Sequence, residues 1–245
     1  MATSNTTATT SLEHSEFRLW FNTILLSLGI FFFSSLYLFV RRGNYDFFIA
    51  NKAFATTSLV LIGLSLALSG LCYFWNFLDS KIVYRKHLGL AGFAFAIVHV
   101  IVSFFFLSGR FTYPEWFSGH FLSVMFGLLA LLVLCFMALI SNRWARMELG
   151  ALLWRRLLRL GYLVLILVAA HFALLKYGEW TKWFQTPDPF LPPLSLLEMI
   201  FTLLVIGLRL AVWIDTVRNR NSAAPRLSQN GTNLSLNHPF SQIGE

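Results

Sequence analysis

Charged side chains are scarce in this sequence: they make up 12% of its 245 residues, whereas a soluble domain carries about a quarter. Cysteine is nearly absent, and both Cys72 and Cys135 fall inside apolar runs. Isolated thiols in apolar runs are typical of packing residues and exclude a CxxC redox pair. The shortage of charge excludes an ordinary soluble domain.

A glycine-rich phosphate loop is also missing, as is any GxGxxG pattern. The polar ends of the chain are too short for a nucleotide-binding domain, so we expect any nucleotide binding to be supplied by a partner protein. The formal net charge of +8 is spread over the ends of apolar segments and forms no continuous basic face. We therefore expect membrane lipid, and no nucleic acid, as the partner of these cations.

Long apolar runs dominate the sequence, since 57% of its residues are hydrophobic. A helix crosses a bilayer with about 20 predominantly apolar residues. Six stretches meet this length, at residues 19–40, 53–78, 88–107, 121–140, 160–175 and 194–214. The sequence predicts an all-α integral membrane protein built as a bundle of six transmembrane helices.

Polar segments flank this predicted membrane domain, which covers residues 18–217. Residues 1–17 are rich in Ser and Thr, and residues 218–245 are rich in Asn and Ser. Such compositions predict disordered tails. The first apolar run begins too far into the chain for a cleavable signal, so we expect it to remain as a helix.

The distribution of Lys and Arg predicts the orientation in the membrane. Counted on alternate sides of the six spans, twelve cations lie on the side of both termini and six on the other, with Arg209 inside the sixth span. Because positive charge is retained on the inner side, we expect a multi-pass protein of the cell (inner or plasma) membrane with both termini in the cytoplasm.

Two of the six histidines lie within apolar spans, His99 in the third and His171 in the fifth. An ionisable side chain at this depth is costly and marks function by default. His99 follows Lys86 by thirteen residues and His171 follows Arg159 by twelve, so each lies about 18–20 Å along its helix from an inner cation. The third and fifth spans run parallel, which predicts two imidazoles at matched depth.

Small residues share a helix face with each histidine. The third span has Gly89, Gly92, Ala96, His99 and Ser103 at alternating spacings of three and four, and the fifth has Gly161, Val164, Val168, His171 and Leu175. This pattern leaves room for a ligand and predicts that Gly92, Ala96 and Val168 contact it. The alternative is that small stripes serve close helix packing and that the histidines are structural.

Two buried imidazoles could hold a metal. Zinc takes three or four ligands, and the sequence offers no third buried Cys, His or carboxylate at matching depth. Haem needs two axial nitrogens and an apolar cavity, so it fits better. The sequence therefore predicts His99 and His171 as metal ligands, with haem between the third and fifth helices.

The stretches "RKHLGLAGFAFAIVHVIVSF" and "WRRLLRLGYLVLILVAAHFALL" resemble the ferric reductase-like transmembrane domain family, and within it the MsrQ (YedZ) haem-binding membrane subunits. The resemblance covers roughly residues 20–215. It implies a six-helix haem b protein that passes electrons across the membrane, with His99 and His171 as the axial ligands of the haem nearer the outer face.

One position departs from the pattern of these relatives. They commonly carry another histidine thirteen residues before the fifth-span ligand, where this chain has Leu158. Lys86 stands at the matching position before His99, and the neighbouring His87 is turned about 120° away from the His99 face. We therefore expect one haem b, and we expect His87 to be a boundary residue.

The predicted function is a haem-based electron relay, which is an oxidoreductase component that needs a partner. Quinol or a cytoplasmic flavoprotein would supply electrons, so a quinone or flavin would act through the membrane or a partner. A periplasmic reductase or ferric complex at the outer face would accept them. The alternative is a redox-inert multi-pass scaffold or transporter with structural histidines.

Overall fold

The structure is a computed structural model that describes the backbone of residues 3–107 and 119–235 and the side chains of residues 16–107 and 119–219. Within these ranges it is all-helical. The α-helices are α1 (Thr3–Arg42), α2 (Phe47–Phe74), α3 (Tyr84–Ile101), α4 (Phe121–Leu139), α5 (Arg143–Leu157), α6 (Leu160–Gln185) and α7 (Leu194–Ser235). A 3₁₀ helix, Asn76–Lys81, follows α2, and a π-helix, Val102–Phe106, continues α3.

Six of these helices are long and apolar enough to cross a membrane, which confirms a multi-pass membrane protein. The spans are Glu16–Arg42, Phe47–Phe74, Tyr84–Phe106, Phe121–Leu139, Leu160–Gln185 and Leu194–Asn219. Short α5, which the sequence did not predict, lies between the fourth and fifth spans and contains Gly150 with a positive φ of 72°. Because that backbone conformation suits glycine, Gly150 bends α5 without strain.

Two spans differ in length from the prediction because their end residues are polar. α2 begins at Phe47 instead of residue 53, and the Asp46 side chain caps it by accepting a hydrogen bond from the Ile49 amide at 2.9 Å. α6 continues past residue 175 to Gln185, where Lys176 and Glu179 form an ion pair of 2.6 Å along the helix. Hydropathy alone placed these polar turns outside the membrane helices.

The terminal helices run into the segments predicted as disordered tails. α1 begins at Thr3, and α7 continues to Ser235. A helix that extends from an apolar span needs no new nucleus, so polar residues of moderate propensity can continue it. Residues 1–2 and 236–245 of the predicted tails lie outside the described residues.

α2 is the most buried span and lies at the centre of the bundle, where it contacts α1, α3, α6 and α7. The closest helix pairs are α2 with α3 and α4 with α6. The main apolar core joins α2, α4, α6 and α7, and its fully buried centre includes Val164 and Leu165 of α6. The fold is thus two tight helical hairpins, α2–α3 and α4–α6, flanked by α1 and α7.

Candidate functional site

His99 lies near the end of α3, and its ring is held by α2. The Nδ1 atom lies 2.9 Å from Asn51 Oδ1 and 3.1 Å from the Asn51 carbonyl oxygen, so Nδ1–H donates to this residue. Asn51 is 5% exposed, and its amide nitrogen donates to Ser103 Oγ at 2.8 Å. Ser103 in turn donates to the His99 carbonyl at 2.8 Å. The three residues form a closed polar network inside the bundle.

The backbone changes its winding directly after His99. α3 ends at Ile101, and the next turn, Val102–Phe106, is a π-helix that contains Ser103. Turns of this kind are rare and frequently occur at functional sites. Here the wider turn carries the hydroxyl that closes the network with Asn51.

His171 of α6 is held by α4 in a similar way. Its Nδ1 lies 2.7 Å from the Ser123 carbonyl oxygen and 3.1 Å from Ser123 Oγ, while that hydroxyl donates to the His171 carbonyl at 2.8 Å. One turn further along α4, a Cβ at Gly127 would lie 2.9 Å from His171 Nδ1. Glycine is therefore required there for the ring to lie against α4.

Both rings share one pattern of hydrogen bonds. Nδ1 faces a carbonyl acceptor in each case, which assigns the proton to Nδ1 and leaves the Nε2 lone pair free. Neither Nε2 has a hydrogen-bond partner among the residues whose side chains are described. Metal-bound histidines are commonly oriented in this manner, by a second nitrogen that donates to a carbonyl or carboxylate.

The helices that carry the two histidines are held apart. α6 packs on α4, α7 and α2, and it makes at most marginal direct contact with α3. α4 lies between them, since it packs on both α3 and α6. Both histidines are largely, but not fully, buried by protein atoms. The arrangement leaves two Nε2 atoms in one region of the bundle, on helices that do not touch closely.

The small residues predicted to line a cofactor site differ in their surroundings. A Cβ at Gly92 would lie 2.7 Å from Ile62 Cγ1 and 3.1 Å from the Ser58 carbonyl oxygen, and Ser58 Oγ donates to the Gly92 carbonyl at 2.8 Å. Gly92 therefore serves close packing of α3 on α2, and the structure does not support room for a cofactor beside it. Ala96 and Val168 are partly buried against the main core.

The remaining histidines are separate from this pair. His87 is 3% exposed, with Nε2 3.0 Å from Glu16 Oε2, Nδ1 3.3 Å from the Val83 carbonyl and its ring edge-on to Trp20. Both of its nitrogens are engaged, so none is free for a metal. His120 is exposed just before α4. The side chains of His14 and His238 lie outside the described residues.

Sequence reasoning missed the residues that orient the two rings. Asn51 and Ser123 lie near the starts of their helices, where polar residues are ordinary, so neither stands out alone. A spacing signal exists, because Asn51 precedes His99 by 48 residues and Ser123 precedes His171 by the same number. Gly127 follows Ser123 by one turn and shares its face.

The donor set fits haem better than a bare metal ion. In the ranges the structure describes, no group of three or more His, Cys, Asp or Glu residues could hold a metal ion. A haem iron with six ligands takes two from the protein, and two oriented imidazoles with free Nε2 atoms could provide them. The apolar residues of the neighbouring core suit its macrocycle.

Part of this chain is similar in sequence to a known membrane protein. Over 96 residues the chain is 36% identical to the protein-methionine-sulfoxide reductase heme-binding subunit MsrQ of Agrobacterium fabrum. The match covers 38% of this chain and 43% of that protein, so the chain spans less than half of the relative's length. No protein-family model matches the chain. The chain is thus a multi-pass membrane protein with a partial likeness to a haem-binding membrane subunit.

Proposed function

We propose that this chain is a haem b membrane electron-transfer subunit whose axial ligands are His99 and His171. One observation carries the proposal: each intramembrane imidazole donates from Nδ1 to a carbonyl on the neighbouring helix, which leaves both Nε2 atoms free. A structural histidine pair would be expected to use both nitrogens in hydrogen bonds, as His87 does. The likeness to MsrQ agrees with a haem-binding role.

The protein's own part is to hold and orient the two ligands. Asn51 fixes His99 from α2, and Ser123 fixes His171 from α4, so neither ring can rotate without breaking a hydrogen bond. The same bonds raise the basicity of the ring nitrogen that faces the metal. Bound haem would supply one-electron redox chemistry through its iron. Because the two imidazoles are held rigidly, the ligands of the haem iron would stay the same in both redox states, which would favour fast electron transfer.

The depth of the two histidines in the membrane bears on where electrons would enter and leave. His99 lies near the end of α3 and His171 near the middle of α6, each about 18–20 Å along its helix from an inner cation, which places both just beyond the membrane midplane in the predicted orientation. A quinol within the membrane or a cytoplasmic flavoprotein supplies electrons, and a periplasmic reductase or ferric complex takes them at the outer face. With one haem displaced outward, a donor that reaches into the membrane has the shorter path.

Absorption spectroscopy of the purified full chain tests the proposal. Protein from haem-replete cells should show a sharp Soret band that shifts on dithionite reduction, with one haem per chain by pyridine haemochrome. His99→Gly and His171→Gly should each lose the band, because a single imidazole leaves one axial position without a ligand. Added free imidazole should restore part of it, which distinguishes ligand loss from misfolding.

His120→Gly is the matched control, since His120 is exposed and its side chain makes no capping hydrogen bond to the described residues of α4. It should keep the wild-type spectrum. Colourless wild-type protein, or a His99→Gly variant with an unchanged band, would favour the redox-inert scaffold instead. A further assay uses proteoliposomes that contain dithionite or a quinol, with a ferric chelate outside. Reduction of the chelate by this chain alone would indicate direct ferric reduction, whereas no reduction would indicate that electron transfer needs a protein partner.

A further inference from the structure

A cavity lies towards the opposite end of the bundle from the two histidines. It has a volume of about 450 Å³ and is enclosed by α2, α3, α4, α5, α6 and α7. Its lining on α3 runs from Arg85 to Phe93, so along the helix it lies between about 9 and 21 Å from His99. The cavity therefore belongs to a different level of the membrane from the proposed haem ligands.

Five cations line this cavity: Arg85, Lys86, Arg155, Arg159 and Arg209. Arg85, Arg159 and Arg209 lie close enough for their charges to interact. Within the described residues, none of the five forms an ion pair with a carboxylate. The Arg209 guanidinium lies over the Tyr162 ring, 5.7 Å from its centroid. Clustered like charges at a membrane boundary are stabilised by an anion, and the residues whose side chains are described supply none here.

Most of the remaining cavity wall is apolar. Leu66, Phe93, Leu134 and Met137 form the part that reaches into the bundle. Ile82 and Val83 line the cavity near its cationic end, and both are exposed apolar side chains. The cavity thus combines a cationic end with an apolar wall that reaches the lipid-facing surface. That combination is complementary to an amphiphile with an anionic head.

One hydroxyl beside the cavity is unpartnered. Ser69 is among the lining residues, and its Oγ is buried without a hydrogen-bond partner within the described part of the chain. Most serines inside a membrane helix bond to a carbonyl of the preceding turn, as Ser27 does with Thr23. A buried donor without a partner costs free energy unless a ligand accepts its bond.

The lining residues do not fit a second haem. None of them is histidine or cysteine, and Leu158 and Lys86 stand where ligands would be needed. Tyr162 donates its hydroxyl to the Leu66 carbonyl at 3.3 Å. Met137 alone offers a soft ligand, and one thioether does not complete an axial pair.

We propose that this cavity binds the phosphate headgroup of an anionic phospholipid. The arginines bind the phosphate oxygens, and an acyl chain follows the apolar wall. The inference goes beyond electron transfer and does not depend on haem. It assigns to the clustered arginines a specific ligand in addition to their effect on orientation.

Native mass spectrometry of the detergent-purified full chain tests this proposal by titration with phosphatidylglycerol and, separately, phosphatidylcholine. Wild-type protein should bind phosphatidylglycerol preferentially. Removing two cations with R85Q/R209Q should weaken that binding about thirtyfold, because each cation near the surface strengthens binding to anionic lipid. Ala138→Phe, which fills the cavity without changing charge, should also weaken it.

R143Q/R156Q is the matched control. Arg143 and Arg156 are exposed at the same end of the bundle but do not line the cavity, and this variant loses the same charge. It should bind phosphatidylglycerol within about twofold of wild type. Size-exclusion chromatography and thermal unfolding verify that each variant is folded. Equal loss in both double variants, displacement of the lipid by inorganic phosphate alone, or two haems per chain would overturn the proposal.

Discussion

Asn51 determines the orientation of His99 more completely than any other residue. It accepts from the imidazole through both its side-chain and backbone oxygens and donates to Ser103. The sequence could identify His99, because a histidine in the middle of an apolar run is conspicuous. It could not identify Asn51, because a polar residue close to a helix start looks like an ordinary interfacial residue.

Asn51→Ala should weaken haem binding by about tenfold, since outer hydrogen bonds to a metal-bound histidine typically contribute that much to affinity. The substitution removes the Oδ1 acceptor and leaves Ser103 Oγ without its donor. Ser123→Ala should have a smaller effect, because the shorter contact of His171 is to the Ser123 backbone, which alanine keeps. Haem transfer to apomyoglobin, followed at the Soret band, measures both.

Ser58→Ala is the control for this comparison. Ser58 lies on α2 like Asn51, is 6% exposed, and donates to the Gly92 carbonyl without touching a histidine. Its haem transfer rate should match that of the wild type. A similar loss in Ser58→Ala and Asn51→Ala would show that helix packing, and not orientation of the ring, sets the affinity.

For single helices, sequence patterns predict the apolar length but neither the neighbouring helix nor the exact helix ends. The small-residue stripe on α3 predicted room for a ligand, with close helix packing as the alternative, and the sequence could not separate these two explanations without the neighbouring helix. The structure shows that Gly92 packs on the α2 backbone. The early start of α2 and the late end of α6 were missed because hydropathy does not register a capping aspartate or an ion pair within a helix.

Gly92→Ala should therefore destabilise the α2–α3 hairpin. The added methyl would lie 3.1 Å from the Ser58 carbonyl oxygen and 3.2 Å from the Ile62 nitrogen, and these backbone atoms can yield only if the helices separate. We expect a cost of about 1–3 kcal/mol, as for overpacking in protein cores. The thermal midpoint of the detergent-solubilised protein, followed by circular dichroism, measures it.

Gly29→Ala provides the comparison for this element. Gly29 lies in α1, and nothing lies within 4 Å of the position that a Cβ would take. The change should leave the thermal midpoint equal or higher, because alanine favours the helix. Equal losses in Gly29→Ala and Gly92→Ala would show that the cost does not come from contact with α2.

At the scale of the whole molecule, six membrane helices were predictable because apolar length is a strong signal that needs no knowledge of neighbours. The pairing of the helices was not predictable. Nothing in the apolar runs shows that α2 is central or that α6 packs closely on α4 and hardly on α3. The shared depth of the histidines came from counting residues along two helices, whereas their hydrogen bonds depend on which helix lies beside each.

The predicted orientation can be tested with single cysteines in a C72A/C135A background. Asn44 is exposed between α1 and α2, and Glu148 is exposed on α5, at opposite ends of the bundle. With both termini in the cytoplasm, an impermeant maleimide should label Asn44→Cys in intact cells and Glu148→Cys only after permeabilisation. The reverse pattern would invert the topology, and with it the side from which electrons leave.

The hairpin arrangement bears on the order in which the protein can mature. His99 and its acceptor lie in one hairpin, and His171 and its acceptor lie in the other. If translation releases the helices in chain order, the first imidazole is oriented before the second hairpin has been made. Cofactor capture would then be the closing event of biogenesis, when two finished half-sites meet.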